Sequence, residues 1–320
     1  MKFLFLPPIT ETIRSWAGQL VGAVPELRVV LAESEAEAAR ELADADAAFG
    51  TLPPALLPHA AQLRWLQAPA AAPPAGYYYP ELADHPVVVT NFRGIYNDHI
   101  AAHILAFVLA FARGLHRYIP QQLRRVWQPA PPNTGVVHLP ETTALILGVG
   151  GIGSETARLC AAFGMRVIGV DARQTEPPPG MELLAGPEQL DRLLPEADWL
   201  IMTIPHTPET EGLIQLERLR LMKRSAFLIN IGRGMTVRLM DLDRALREGL
   251  IAGAALDVFE QEPLPPEHPL WGAPNLLMTP HVAGEGPYLD ERRLAILIEN
   301  ARRFVQGAEL QNVVDKRRWF

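Results

Sequence analysis

Residues 148–153 read GVGGIG, and they follow directly on the apolar run TALIL (143–147). Glycine in an element interior costs conformational entropy, so three of them at the first, third and sixth positions need a reason. The flanks supply one. A strand leads in (ALIL, 144–147), a helical stretch SETARLCAAFGM leads out, and a second strand, RVIGV (166–170), ends in Asp171, 18 residues beyond Gly153. In this strand, turn, helix setting Gly148 permits the tight turn, Gly150 lets a pyrophosphate approach the backbone, and Gly153 lets helix and strand pack closely. The free N–H groups of Gly151 and Ile152 lie at the helix start, where the helix dipole favours phosphate charge. The Asp171 carboxylate can accept from ribose hydroxyls and repels a 2′-phosphate, which predicts NAD, while the guanidinium of Arg173 leaves NADP open.

Around this loop the chain alternates strands and helices. KFLFL (2–6), RVVLA (28–32), AAFG (47–50), RWLQA (64–68) and VVVTN (87–91) read as strands, with helical spacing at 10–20 and 33–45. After a long helical run from Asp98 to about Arg125, apolar nearly all round in its first half, and a Pro/Gly-rich loop at 128–135, a second series begins. It comprises 144–147, 166–170, 198–204, 226–231, 251–258 and 276–279. Such alternation predicts an α/β chain of two doubly wound parallel-sheet domains. The apolar helix is expected to be buried between two domains or two subunits.

Composition bounds the function. The 320 residues are 48% hydrophobic and 20% charged, with a formal net charge of −7. No basic patch forms the electrostatic footprint of a nucleic-acid binder. No stretch of about 18 apolar residues reads as a membrane span. A single cysteine, Cys160, excludes an internal disulfide and a cysteine-rich metal site, and a cytoplasmic protein is expected.

Chemistry is expected where the strands of the larger sheet end. Arg233, flanked by Gly232 and Gly234, follows strand 226–231; small neighbours there leave room for a ligand, and a guanidinium grips a carboxylate bidentately. Glu262 follows strand 251–258, with Glu260 an equal rival by spacing. His281 follows strand 276–279 and is the side chain suited to moving a proton near neutral pH. His206 is a candidate neighbour of the cofactor.

These stretches resemble the D-isomer-specific 2-hydroxyacid dehydrogenases. The similarity runs through LILGVGGIG with Asp171, TIPHTPETEGLI (203–214), LMKRSAFLINIGRG (221–234), ALDVFEQEPLPPEHPLW (255–271), NLLMTPHVAG (275–284) and NVVDK (312–316). The resemblance implies a catalytic set of Arg233, Glu262 and His281, so Glu262 rather than Glu260. It implies that Asp257 and the backbone at Ile231 face the nicotinamide carboxamide, and that Thr203 to Pro205 border the adenosine. It also implies a Rossmann dinucleotide-binding domain, residues 99–285, inserted into a smaller flavodoxin-like substrate domain, residues 1–98 plus 286–320. The stretch 64–82 looks like the family's substrate loop, whose backbone N–H groups meet the substrate carboxylate; this places Ala71 and Ala72 on the substrate. Here Ala70-Ala71-Ala72 precedes Pro73-Pro74 and the family's usual Gly is missing. Ala102 stands where a Glu is common. The implied activity is hydride transfer between nicotinamide and a 2-hydroxy or 2-keto acid, the protein acting as a ketoacid reductase of the glyoxylate or hydroxypyruvate type in a homodimer. The competing class is a non-catalytic NAD(H) sensor or corepressor on the same fold.

Overall fold

The computed structural model describes residues 1–71, 76–131 and 134–317. The chain divides into two compact units, one of Met1–Ile95 with Pro287–Phe320 and one of Tyr96–Gly286.

The first unit carries strands β1 (Lys2–Phe5), β2 (Arg28–Leu31), β3 (Ala47–Phe49), β4 (Trp65–Gln67) and β5 (Val88–Thr90) in one parallel sheet of order β2-β1-β3-β4-β5. That is the flavodoxin-like order. β1, β3 and β4 are buried throughout, which is why they read as unbroken apolar runs rather than alternating ones. The C-terminal helix Leu289–Gln306 returns to this unit: the Phe304 ring lies 5.4 Å from that of Trp65, and the Arg64 guanidinium stands 4.8 Å over it. An antiparallel bridge then ties Val313 to Thr90.

The second unit holds β6 (Thr143–Leu147), β7 (Arg166–Val170), β8 (Leu183–Ala185), β9 (Trp199–Met202), β10 (Phe227–Asn230), β11 (Gly253–Leu256) and β12 (Leu276–Met278). They form one parallel sheet in the order β12-β11-β10-β9-β6-β7-β8. Consecutive strands step outward from β6 to β8, and the next connection crosses back to place β9 on the other side of β6. The reversal leaves a crevice at the carboxyl end of β6, which is where open α/β sheets bind ligands.

Side chains alternate cleanly between two apolar layers. Leu145, Leu147, Ile168, Leu200, Met202 and Leu228 fill one, and Ile146, Val167, Trp199, Ile201, Phe227 and Ile229 fill the other. The helical run from Asp98 to Arg125 is not continuous: helix Asn97–Ala112 ends and helix Leu115–Leu123 starts across Gly114, which sits at φ 71, and the two are bent by 75°. Glycine alone takes that backbone at little cost. Ile104, Phe107, Val108 and Phe111 of the first helix belong to the second apolar layer, so the helix is buried inside one unit and needs no domain or subunit boundary to cover that face. Among the described residues no single helix is long and apolar enough to cross a membrane. β8 was absent from the sequence reading.

Candidate active site

At the carboxyl end of β6 the glycines divide their work. Gly148 adopts φ 88, and a β-carbon on it would lie 2.9 Å from the Ile204 side chain. On Gly153 a β-carbon would lie 2.0 Å from the Gly148 carbonyl oxygen, so helix Gly151–Ala162 can approach the strand only because that carbon is missing. Gly151 is pressed against the Asn97 carboxamide, 2.4 Å from where its β-carbon would be. Gly150 differs from all of these, since a β-carbon there would meet nothing within 4 Å. Its open side, next to the first N–H groups of the helix at Gly151 and Ile152, fits a pyrophosphate. The Thr203 hydroxyl, just past β9, donates 2.7 Å to the Gly148 carbonyl and pins the turn from the neighbouring strand. Pro205, two residues on, accepts the Thr210 hydroxyl at its carbonyl at 2.7 Å.

Asp171 is held by the loop it serves. Its carboxylate accepts from the Val149 N–H at 2.7 Å, the Arg173 N–H at 2.8 Å and the Gln174 N–H at 2.9 Å. Burial alone would raise this carboxyl, yet the three N–H donors, helped by the Arg173 charge, hold it below its ordinary value. It therefore stands as an anion beside the turn at the end of β7.

Beyond the next strands lie the candidate reacting groups. Arg233 follows β10 in a segment fixed by Asn230, which is fully buried. The Asn230 amide donates 3.0 Å to the Arg233 carbonyl, and its oxygen accepts from the Gly232 N–H at 3.1 Å. The Thr236 hydroxyl adds a second donor to the same carbonyl at 2.7 Å. Burial pulls the Arg233 guanidinium down from its ordinary value and the Glu262 charge opposes that shift; an arginine remains a cation under both influences. The flanking glycines do not clear space for a ligand. A β-carbon on Gly232 would meet the Ile204 carbonyl at 2.5 Å and one on Gly234 the Phe259 carbonyl carbon at 1.9 Å, so both exist for backbone against backbone.

Glu262 and Glu260 separate at once. Glu260 accepts from the Leu239 N–H at 3.1 Å, the start of helix Leu239–Arg247. Glu262 instead accepts from the Phe259 N–H at 3.0 Å and presents its other oxygen to His281 Nδ1 at 2.6 Å. Both side chains are part-exposed, 50% for His281 and 37% for Glu262. Imidazole has two nitrogens, and with Nδ1 on the carboxylate, Nε2 is the one left to exchange protons. His206 pairs with Glu211 at 3.3 Å on an exposed loop. Asp257, directly after β11, is 1% exposed and accepts from the Val282 and Ala283 N–H groups, each at 2.9 Å. Ile231 is buried directly after β10. Ala71 belongs to the other unit, where its carbonyl accepts from Asn91 Nδ2 at 2.9 Å. Ala72 lies outside the described residues. Asn230 and Thr236 were missed by sequence reasoning; the signal for Asn230 was an amide closing an otherwise apolar strand.

A glycine turn left open at Gly150, an anionic residue one strand over and an Arg, a Glu and a His after successive strands form the arrangement expected of a nicotinamide-dependent oxidoreductase. The sequence profile of the D-isomer specific 2-hydroxyacid dehydrogenase NAD-binding domain matches residues 105–283, more than half of the chain. The protein belongs to that family and is an NAD(P)-dependent 2-hydroxyacid dehydrogenase. It is 39% identical over 237 residues to a glyoxylate reductase of Aeropyrum pernix, covering 72% of this chain and 70% of the relative. The fold is similar to that of a D-isomer specific 2-hydroxyacid dehydrogenase from Xanthobacter autotrophicus crystallised with NADPH and MES, with TM-score 0.84, 30% identity and coverage of 100% and 99% of the two chains. It is also similar to an NADPH-dependent glyoxylate/hydroxypyruvate reductase of Sinorhizobium meliloti in complex with NADP and sulfate, with TM-score 0.79, 26% identity and coverage of 100% and 99%.

Proposed function

We propose that this protein reduces a small 2-ketoacid of the glyoxylate or hydroxypyruvate kind to the 2-hydroxy acid, with Arg233, Glu262 and His281 as its catalytic residues. The observation that carries the assignment is the 2.6 Å contact between Glu262 and His281 Nδ1. When bound, the nicotinamide supplies the hydride. Arg233 grips the substrate carboxylate and polarises the C2 carbonyl. His281 delivers a proton from Nε2 to the carbonyl oxygen, and the Glu262 carboxylate stabilises the imidazolium and fixes its orientation. In the reverse direction the same nitrogen takes the proton, so reduction needs His281 charged and oxidation needs it neutral. The assembled pair gives the non-catalytic sensor reading no support.

Residues 1–98 with 286–320 are assigned the substrate-binding role. The anion at Asp171 is assigned the preference for NAD over NADP, and Arg173 gives NADP a weaker route. The single cysteine, buried, accords with a cytoplasmic protein. A homodimer is inferred through helix Leu115–Leu123 and the chain after it, where Leu115, Tyr118, Ile119, Val126 and Trp127 line an apolar groove of about 630 Å³ and Trp127 is 97% exposed. The decisive assay is NADH and NADPH oxidation with a panel of glyoxylate, hydroxypyruvate, pyruvate and bulkier ketoacids, run on wild type and His281→Ala. A variant with wild-type turnover on the best ketoacid overturns the assignment; the expected loss is on the order of 10²–10⁴-fold with NADH binding retained.

A further inference from the structure

We propose that His103 and Thr279 are positioning residues for His281, acting through the buried Asp257 carboxylate; the inference rests on His281 being the proton donor. His281 stands in left-handed backbone, φ 55, a conformation its β-carbon disfavours. Such a residue persists only where its surroundings over-determine it. Asp257 does so from both sides. It takes the Val282 and Ala283 N–H groups after His281 and the Thr279 hydroxyl two residues before it, the last at 2.6 Å. The His281 N–H closes the turn on the Thr279 carbonyl at 3.0 Å.

Hydrogen accounting extends the chain to His103. Threonine has one hydroxyl hydrogen, and here it points to the carboxylate, which has none to return. The 3.0 Å contact between Thr279 Oγ1 and His103 Nε2 must then be filled by an imidazole N–H. This places a hydrogen on His103 Nε2, which also stands 4.0 Å from the Asp257 carboxylate, and fixes the Thr279 rotor on Asp257. The His103 ring is itself set edge-on to Phe107, 4.7 Å and 89° away, on the helix Asn97–Ala112 that is buried in the sheet's apolar layer. A rigid core helix thus sets a hydroxyl, the hydroxyl and two amides set a carboxylate, and the carboxylate sets the turn that aims the proton donor.

The test uses the full-length protein with NADH and its best ketoacid and reads kcat, the solvent deuterium isotope effect on kcat and the Kd for NADH. His103→Leu and Thr279→Val are each expected to lower kcat about ten- to a hundredfold and to raise the solvent isotope effect, as proton delivery becomes the slow step. Glutamine carries a side-chain N–H close to the position of the imidazole Nε2, so His103→Gln restores turnover, and Thr279→Ser does so by keeping the hydroxyl. Wild-type kcat and isotope effect in His103→Leu overturn the proposal, as does an equal loss in His103→Gln and His103→Leu, which signifies packing alone. Undiminished turnover in His281→Ala fails the parent assignment instead, so the two failures are distinct.

Discussion

Replacing Gly150 with alanine separates ligand space from packing space within one loop. Gly150 has φ −74, a backbone alanine adopts freely, and a methyl there would touch no protein atom within 4 Å. The cofactor-free protein should therefore melt at the wild-type temperature or slightly above it, since alanine narrows the unfolded ensemble by roughly 0.4–1 kcal/mol. The methyl would occupy the space assigned to the pyrophosphate. An overpacked contact costs about 1–3 kcal/mol, which weakens NADH binding roughly 5- to 150-fold. Gly153→Ala is the mirror case, because its β-carbon would sit 2.0 Å from the Gly148 carbonyl. Helix and strand must move apart, and a loss of about 1–3 kcal/mol lowers the melting temperature by some 2–4 °C per kcal/mol for a unit of this size. Calorimetry of the cofactor-free variants and fluorescence titration with NADH measure both quantities. Wild-type NADH affinity in Gly150→Ala, or a melting loss matching that of Gly153→Ala, would refute the division.

The Asp171 carboxyl, held below its ordinary 3.8, adds stability above that pH and loses it as acid protonates the folded state. The melting difference between wild type and Asp171→Asn should be full near neutrality and fade only in acid, as the pH falls below 3.8 and through the lowered folded-state value; a difference constant with pH refutes it. The same variant should raise kcat/KM for NADPH relative to NADH, and an unchanged ratio removes Asp171 from cofactor choice. Burial pushes the Cys160 thiol up to about 12, so the native protein should resist thiol reagents at pH 8 and react only on unfolding. Rapid stoichiometric labelling of the native state would contradict this.

The sheets were legible because their inner strands, such as β1, β3, β9, β10 and β11, are buried on both faces and leave unbroken apolar runs. β8 was not, since Leu183–Ala185 is a three-residue strand at the sheet edge, too short and too little buried to stand out from the turns around it. The break at Gly114 was hidden inside a run of helical spacing; hydrophobic periodicity does not register a single positive φ. Arg233, Glu262 and His281 stood out as reactive types at strand ends, but spacing left Glu260 level with Glu262, and only their hydrogen bonds distinguish a helix-start acceptor from a histidine partner. Gly232 and Gly234 were read as ligand space because sequence shows an absent side chain without showing what takes its place. His103 and Thr279 are 176 positions apart, and no local pattern joins them.

The first unit is discontinuous, and this sets an order of events during synthesis. Its sheet is complete in sequence by Thr90, yet Phe304, which packs on Trp65, and Val313, which bridges to Thr90, are made more than 200 residues later. Every strand of the second unit has been made by Met278. Domains fold as units, so the later-starting unit can finish first, while the earlier one waits, with the Trp65 face uncovered, for helix Leu289–Gln306.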